Sequence, residues 1–498
     1  MDEERLTLKN GRYFTDDEQQ RAFSAILDID PIDNQSYDWT EMSIGELFAE
    51  VYRPNTLFCP EAKEWYIYDG RRWVKDVNGI NAMERLKVFI KLLLIYTFEK
   101  DNQDDSKIAD YRKFVNRLFD RRARERIIKD AQGEAMVSVS TFDSNPYLVN
   151  CQNGTYHLDK GKLLPHNSAD YLTMMTNCKC PTEASAETCL RWYEFIDEIT
   201  CKNAYIAQYI QTALGYCLLG SSKEECMFIA YGKTTRNGKG TLFNTICQIL
   251  GDYAKSMPVD FICQNKYGSQ NYDRPNPMLA GLRGKRFVTL SESDSAGKLD
   301  EAVIKNYTGG DPITTRNLHE KDFTFIPQFK MWLSCNSLPA VQDKSLFSSN
   351  RLKVIEFNAH FDKDKIDTRL KEQFLAEEAK IVIFKWLTDG YSMYVRKGLK
   401  EPKQVEESVL AYEKSNDRVG MFIDERCEKG EEFKYGRGEL YSVYKTWCNN
   451  NGLKPLSAPK FNEQLSTHAK QIRVHGVNFW KGIRVRSFTV KLDDNKEN

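Results

Sequence analysis

Net charge is missing from this sequence: 71 Lys and Arg offset 71 Asp and Glu. Bulk electrostatics therefore gives no reason to expect a polyanionic partner, and any basic surface has to be local. Long apolar runs are missing too. The most apolar stretch, 86–98, is interrupted by Lys87 and Lys91 and falls short of the roughly 20 residues that cross a bilayer, so no membrane partner is expected. The opening Met1-Asp2-Glu3-Glu4-Arg5 is acidic, where a secretory signal needs a basic and then an apolar run. No Cys-x-x-Cys pair occurs among the 13 cysteines. Cys178 and Cys180, with His166 upstream, match no common zinc spacing, so scattered thiols in a reducing, cytoplasmic setting are expected. Only 15 prolines and 28 glycines stand in 498 residues, against 41% hydrophobic residues, which excludes collagen-like and disordered chains. The length calls for about two to four domains.

Residues 1–140 read as a mostly helical region with one hairpin signal, Trp65-Tyr66-Ile67-Tyr68-Asp69-Gly70-Arg71-Arg72-Trp73, in which Asp-Gly supplies the turn. Leu86, Val88, Phe89, Leu92, Leu93 and Tyr96 recur at helical spacing, and 111–129 is a second, arginine-rich helical stretch. Its arginines are interleaved with Asp120, Glu125 and Asp130, which favours a solvated face over a nucleic-acid surface. Short strands follow from Tyr147, with turns at Asn153-Gly154 and 159–161, and then helices over about 184–199 and 204–218.

The centre is the informative part. Cys226-Met227-Phe228-Ile229-Ala230-Tyr231 reads as a buried strand and runs directly into Gly232-Lys233-Thr234-Thr235-Arg236-Asn237-Gly238-Lys239-Gly240-Thr241. Leu242, Phe243, Ile246 and Leu250 then repeat with helical period. Strand, glycine loop and helix are the context a phosphate loop requires. Gly232, Asn237, Gly238 and Gly240 form the loop, backbone N–H groups close around phosphates, the helix N-terminus adds its positive end, and Lys239 neutralises charge. Thr241 is the hydroxyl for phosphate or Mg²⁺. The loop departs from G-x-x-x-x-G-K-[ST]: one extra residue separates Gly232 from Gly238, and Gly240 stands where Ser or Thr is usual.

Arg286 to Glu292 is a second apolar strand ending in a carboxylate, at a distance that suits a neighbouring parallel strand. Glu292 is the candidate for holding Mg²⁺ through water and polarising the attacking water, with Ser291 beside it. A helix over 299–307 is stopped by Gly309-Gly310. Ile313 to Leu318 and Phe323 to Pro327 then flank a polar tip, His319-Glu320-Lys321-Asp322, as a β-hairpin. That tip suits either a moving backbone contact or an ordinary solvated turn. A third strand, Lys330 to Cys335, ends at Asn336, whose amide is placed to bond a γ-phosphate or the attacking water. Arg351 precedes a further strand and is positioned to reach a neighbouring subunit's nucleotide.

Past the core, 376–394 and 402–427 read as helical, and Lys429-Gly430 and Gly436-Arg437-Gly438 mark a boundary. Leu440, Val443, Tyr444 and Trp447 give an amphipathic helix; Ser457 caps a second with Pro459 in its opening turn. Alternation at Ile472/Val474 and Ile483/Val485 makes a hairpin. Helix, helix and hairpin suggest a winged helix. Between 454 and 488, Lys454, Lys460, Lys470, Arg473, Lys481, Arg484 and Arg486 face only Glu463, which favours phosphate contact through Lys460, Arg484 and Arg486. Trp480 either stacks on a base or closes the small core.

The ordered motifs over roughly 140–375 resemble the superfamily 3 helicase domain of phage and plasmid primase-helicases, related to the poxvirus primase-helicase. The residues that carry the likeness are 234–241, Ser291-Glu292, Lys305, Thr308-Gly309-Gly310-Asp311, Arg316, the run from Lys330 to Pro339, and Arg351 to Phe357. The resemblance implies an α/β AAA+-type P-loop NTPase core that assembles as a ring, usually a hexamer, hydrolyses ATP and draws single-stranded DNA through its channel in the 3′ to 5′ sense. It also implies roles: Lys239 and Thr241 on phosphate and Mg²⁺, Glu292 activating water, Asn336 sensing the γ-phosphate, Arg351 as a finger in trans, and Arg316, His319 and Lys321 tracking DNA. Near the start, Asp28-Ile29-Asp30 is the one carboxylate pair of primase flavour, so primer synthesis is not expected of this chain alone, and a separate primase or initiator is an implied partner.

The expected organisation is an N-terminal α+β accessory region (1–140), a collar (141–220), the ATPase core (221–375), a helical connector (376–430) and a winged helix (431–498) that contacts double-stranded DNA. The expected function is an ATP-dependent DNA helicase of mobile-element replication in a bacterial host. The alternatives are an ATP-dependent origin-binding initiator without processive unwinding and, from Gly238-Lys239-Gly240-Thr241 alone, a small-molecule kinase.

Overall fold

Five short strands, β1 (Met227–Tyr231), β2 (Ala254–Pro258), β3 (Phe287–Ser291), β4 (Lys330–Cys335) and β5 (Leu352–Glu356), lie side by side in the computed structural model. They form one parallel sheet in the order β2-β3-β4-β1-β5. Residues 7–8, 12–13, 16–100, 106–181, 190–264, 275–291, 297–318, 321–341, 345–362, 367 and 369–486 are described. Because side chains alternate across a strand, Phe228, Ala230 and Trp332 face one layer, while Met227, Ile229, Met331 and Leu333 face the other. Both faces are covered, as a parallel sheet requires. The spacing of β3 suggested a strand adjacent to β1; the sheet instead inserts β4 between them.

One face is covered by α1 (Leu190–Ile199), α2 (Ala204–Tyr216), α3 (Lys239–Leu250) and α4 (Glu377–Lys397). Trp192, Tyr209, Phe243 and Trp386 from these helices share a single core with Phe228 and Trp332, and those last two rings stack at 4.3 Å. Boundaries at 220/221 and 375/376 therefore fall inside one hydrophobic core, a correction to the expected division. On the other face lie the helix Glu301–Thr308, through Val303 and Ile304, and α5 (Lys403–Asn416), through Tyr412. Two buried cations fasten the amino end of the sheet. Arg286 donates to Leu148 O at 2.7 Å, and Lys330 donates to Gln328 O at 2.9 Å and Ser221 O at 3.3 Å. Hydrogen-bonded compensation of this kind is what lets a charge be buried.

Ahead of the sheet, helices Asp16–Ile29, Glu41–Tyr52, Ile80–Glu99, Ser106–Arg117 and Arg121–Glu134 enclose their own core with Phe58, Trp65 and Ile67 of the strands Thr56–Cys59 and Glu64–Tyr68, while Trp73 of the third strand, Trp73–Asp76, packs in a smaller cluster with Leu57 and Phe142. The Asp-Gly turn forms: Asp69 Oδ1 accepts from the N–H groups of Arg71 and Arg72, both at 2.8 Å. The single helix expected over 111–129 is two, because Asp120 turns its side chain onto Arg122 N at 2.8 Å and starts a new helix. Arg85, 1% exposed, is paired with Glu18 through Nε–Oε1 at 2.6 Å and Nη2–Oε2 at 3.2 Å. The hairpin expected after Tyr147 is present as Leu148–Cys151 and Gly154–His157.

The C-terminal unit has a separate core, built from α6 (Arg418–Arg426), β6 (Cys427–Gly436), α7 (Arg437–Asn450), α8 (Ala458–Leu465), β7 (Lys470–Val474) and β8 (Val477–Val485). The sheet order is β6-β8-β7, antiparallel throughout. Strand β6 occupies the stretch read from sequence as a boundary, so a division at 430/431 cuts a strand. Asp417 breaks the helix expected over 402–427 by accepting from Gly420 N at 2.9 Å. Ser457 stands at the cap position of α8 without a side-chain cap hydrogen bond. Trp480 is buried and closes the core.

The described cysteines are free thiols. Burial pushes Cys217 up to about 11 and Cys226 up to about 12, so these side chains act as packing. Among the described residues no cluster of His, Cys, Asp and Glu could hold a metal ion, and no helix is long and apolar enough to cross a membrane.

Candidate nucleotide site

Strand β1 is buried to Ala230 and delivers the chain at Gly232 into a turn that ends at Gly238, where α3 begins. Both glycines are sterically required. A Cβ on Gly232 would lie 2.2 Å from Asn237 Nδ2 and 2.8 Å from Lys239 Nζ. Gly238 has φ +85°, and a Cβ there would lie 2.2 Å from Ile199 Cγ2. Gly240 differs from both, since nothing lies within 4 Å of the position its Cβ would take. Its presence in place of Ser or Thr is not forced by space.

The turn is braced from within and from behind. Asn237, 4% exposed, donates from Nδ2 to Thr234 O at 2.6 Å. The segment leaving β5 runs along its outer side: Phe357 N donates to Tyr231 O at 2.7 Å, and Phe361 N donates to Arg236 O at 2.9 Å. His360 Nδ1 lies 3.2 Å from Thr235 O. This brace was not anticipated, and no local pattern announces it.

In α3 the first intrahelical bond is Leu242 N to Gly238 O at 3.0 Å. The N–H groups of Lys239, Gly240 and Thr241 therefore have no carbonyl one turn back inside the helix, and they point toward the turn. A positive helix end, a cradle of backbone N–H groups and a buried ammonium make an anion site. Lys239 is 5% exposed. Its Nζ donates to Asn336 Oδ1 at 3.1 Å across 97 positions of sequence, so the two residues predicted to share the phosphates do meet. Asn336 is exposed at the carboxyl end of β4. Thr241 is half-buried, with no side-chain hydrogen bond among the described residues, which leaves its hydroxyl available to Mg²⁺. Glu292 and His319 lie outside the described residues. Ser291, the last residue of β3, is in register with Ser334 of β4 at the same end of the sheet.

Arg351 is placed elsewhere. It precedes β5, and its carbonyl accepts from Met227 N at the start of β1. Five residues of strand at about 3.3 Å each separate it from the turn in its own chain. Its guanidinium holds Thr308 Oγ1 at 2.7 Å and Glu225 Oε2 at 2.7 Å.

The residues singled out for DNA lie on two elements. The expected hairpin is present as Ile313–Thr315 and Phe323–Phe325. Arg316 Nη1 lies 3.5 Å from Asp322 Oδ1, and Lys321 is exposed. In the C-terminal unit, Lys460 of α8 is exposed in a cleft of about 490 Å³ shared with Lys298, Glu301 and Val341 of the core. Arg484 is bound to Glu428 of β6 at 2.8 Å and lies 3.8 Å over the Phe433 ring, and Arg486 Nε donates to Cys427 O at 3.0 Å. Strand β6, missed in the sequence, thus engages two of the three cations. Across 418–486, thirteen Lys and Arg still face seven Asp and Glu.

Three family models match. One described as D5 N terminal like matches residues 45–201, one described as poxvirus D5 protein-like matches 414–496, and a family of unknown function matches 230–351. The protein named "Putative helicase L207/L206" of Acanthamoeba polyphaga mimivirus is 25% identical over 463 residues, covering 85% of this chain and 47% of that protein. "Putative helicase V13" of Sputnik virophage is 27% identical over 291 residues, 56% of this chain and 37% of its own length. "Putative primase C962R" of African swine fever virus is 21% identical over 467 residues, 86% of this chain and 46% of that protein. The chain spans about half the length of these relatives, or less. The apo C-terminal region of NrS-1 covers 86% of this chain at 12% identity, with a TM-score of 0.46. Relatives named for an amoebal virus, a frog virus and swine fever do not support the bacterial host expected above.

Proposed function

The chain belongs to the D5-like primase-helicase family, and from that premise we propose that it is the ATP-driven motor of a viral replication helicase-primase. The observation that carries this reading is the meeting of Lys239 and Asn336 at the N-terminus of α3. The start of α3 and the end of β4, through residues 97 positions apart in sequence, converge on a backbone cradle suited to a triphosphate. Numbered in chain order, the sheet runs 5-1-4-3-2, and the turn follows its first strand at the carboxyl edge where the order reverses, the place where open α/β sheets bind ligands. This supports an AAA+-type P-loop NTPase core.

In the proposed cycle, Lys239 and the N–H groups of 239–241 hold the β- and γ-phosphates, and Thr241 and Glu292 hold Mg²⁺, which neutralises phosphate charge when bound. Glu292 takes the proton of the attacking water, and Asn336 bonds the γ-phosphate. Arg351 lies too far from its own turn, so its proposed role is in a neighbouring copy's site, within a ring, by analogy a hexamer. The hairpin carrying Arg316, His319 and Lys321 contacts single-stranded DNA in the channel and moves it in the 3′ to 5′ sense. The C-terminal unit, in the order helix, strand, helix, helix, hairpin and with a basic excess, is proposed as a winged helix on double-stranded DNA. Primer synthesis is assigned to a separate protein or segment.

The experiment is ATP hydrolysis with and without single-stranded DNA. Stimulation of about 10-fold or more is expected of a motor whose turnover is coupled to strand contact. Hydrolysis indifferent to DNA would contradict the motor, and phosphate transfer to a small acceptor would establish the kinase.

A further inference from the structure

The outward face of α8 does not look into open solvent. Phe461 and Leu465 turn inward to the core of the C-terminal unit. On the other side Lys460, Glu463, Gln464 and Thr467 stand at i, i+3, i+4 and i+7 along α8 and the turn after it, and together they form one wall of the cleft of about 490 Å³. Its opposite wall includes Glu301 and Val341, which belong to the sheet domain. A recognition helix has to enter a major groove about 12 Å wide and about 8.5 Å deep, with a phosphate backbone on either side. A cleft of this size admits no duplex, so α8 as placed cannot read one.

Two adjacent residues at the corner between α5 and α6 fix this arrangement. Asn416 ends α5, and its Oδ1 accepts from Val341 N at 2.9 Å. Asp417 comes next: its Oδ1 caps α6 at Gly420 N, and its Oδ2 lies 3.4 Å from His468 Nε2, in the turn beyond α8. Neighbouring side chains thus reach the sheet domain on one side and the end of α8 on the other. Val341 is the far end of a strap that leaves β4 through Asn336. Tyr412 of α5 donates its hydroxyl to Pro339 O on that strap, and Leu299 N donates to Ala340 O at 3.0 Å. The strap therefore joins the amide that meets Lys239 to the N–H that meets Asn416. A γ-phosphate competes for Lys239 Nζ and for the Asn336 amide alike, so it acts on one end of the strap while Asn416 holds the other.

We propose that the hydrogen bond between Asn416 and Val341 is a latch that keeps the α8 face turned toward the sheet domain, and that triphosphate at Lys239 and Asn336 releases it. The C-terminal unit then takes duplex DNA only when the nucleotide site is loaded. The proposal rests on the phosphate-loop and winged-helix readings given above and adds a condition to the second. Val341 is 7% exposed, so its N–H is costly to leave without an acceptor until water reaches it. Opening the cleft is what admits that water.

The test uses the full chain carrying Thr467→Cys as a reporter of cleft opening. Its labelling by a bulky maleimide is read by peptide mass spectrometry, with the exposed Cys201 as internal reference, and binding of a short blunt duplex is read by anisotropy. Both are measured without nucleotide and with a non-hydrolysable ATP analogue and Mg²⁺, whose binding is checked by calorimetry. Asn416→Ala removes the acceptor and Asn416→Asp keeps it; each is checked by thermal melting. With Asn416 intact, the analogue is expected to raise labelling and duplex affinity by about 5-fold or more, the lower end of coupling between sites. Asn416→Ala should show both increases without nucleotide and gain nothing further from the analogue, and Asn416→Asp should behave as the intact latch does. Adding Lys460→Ala to Asn416→Ala should remove the gain in duplex affinity and leave labelling fast. Equal labelling in all three proteins, with the analogue bound, would overturn the latch. Fast labelling without duplex binding would overturn the DNA half of the proposal. Failure of the analogue to bind would overturn the phosphate reading and with it the nucleotide control, while Asn416→Ala against Asn416→Asp still decides the latch.

Discussion

Lys239→Ala is expected to reduce ATP hydrolysis by about 100-fold or more, the scale on which a preorganised charge at a reacting group contributes, while the melting temperature stays close to that of the unaltered protein. The asymmetry follows from where the side chain ends. Lys239 is buried at 5% exposure, and its Nζ ends on Oδ1 of Asn336, a residue that is itself exposed. Truncation therefore leaves a polar amide facing water, not an orphan in the core, and the cost of an unsatisfied buried group does not arise. Gly240→Ala is the matched control one residue on. Its Cβ would meet nothing within 4 Å, so turnover and fold should both survive. Gly238→Ala, with φ +85° and the Ile199 clash, should lose both. Hydrolysis unchanged in Lys239→Ala would remove the phosphate site from this turn.

Arg351→Ala should lower hydrolysis by about 10³-fold, the lower range for an arginine supplied to a neighbouring site, without abolishing nucleotide binding. Arg351 also holds Thr308 and Glu225, so a loss of activity alone would not distinguish a finger from a strut. Mixing does. In a ring assembled from Arg351→Ala and Glu292→Gln protomers, some sites combine an intact Glu292 with an intact Arg351 from next door, and hydrolysis should partly return. A purely structural role predicts no recovery at any mixing ratio, and no recovery would count against the shared site.

The sequence made the centre legible because its signals are local. An apolar strand, two glycines in a turn and a helical repeat need no tertiary information, and Lys239 opens the helix after one strand while Asn336 follows directly on another, strands whose carboxyl edges coincide in a parallel sheet. Sheet order is a tertiary property, which is why β4 between β1 and β3 was missed. Strand β6 was missed for a related reason. Its sequence, Cys-Glu-Lys-Gly-Glu-Glu-Phe-Lys-Tyr-Gly, has little apolar alternation, and it is held by pairing to β8 across a register shift between Lys429 and Lys434. The consequence reaches the site, because Glu428 on that strand holds Arg484. The expected domain boundaries failed where α2 and α4 pack on the sheet, since Tyr209 and Trp386 look from sequence like ordinary amphipathic positions and reveal nothing about which core they enter.

The account depends on ATP split at the Lys239 turn being coupled to movement along a strand, and tailed-duplex unwinding measures that coupling most directly. With the unaltered chain and ATP, release of the labelled strand is predicted from a duplex carrying a 3′ single-stranded tail, with none in Lys239→Ala. Strand release by Lys239→Ala, or a protein that hydrolyses ATP yet separates no tailed duplex of either polarity, would contradict it.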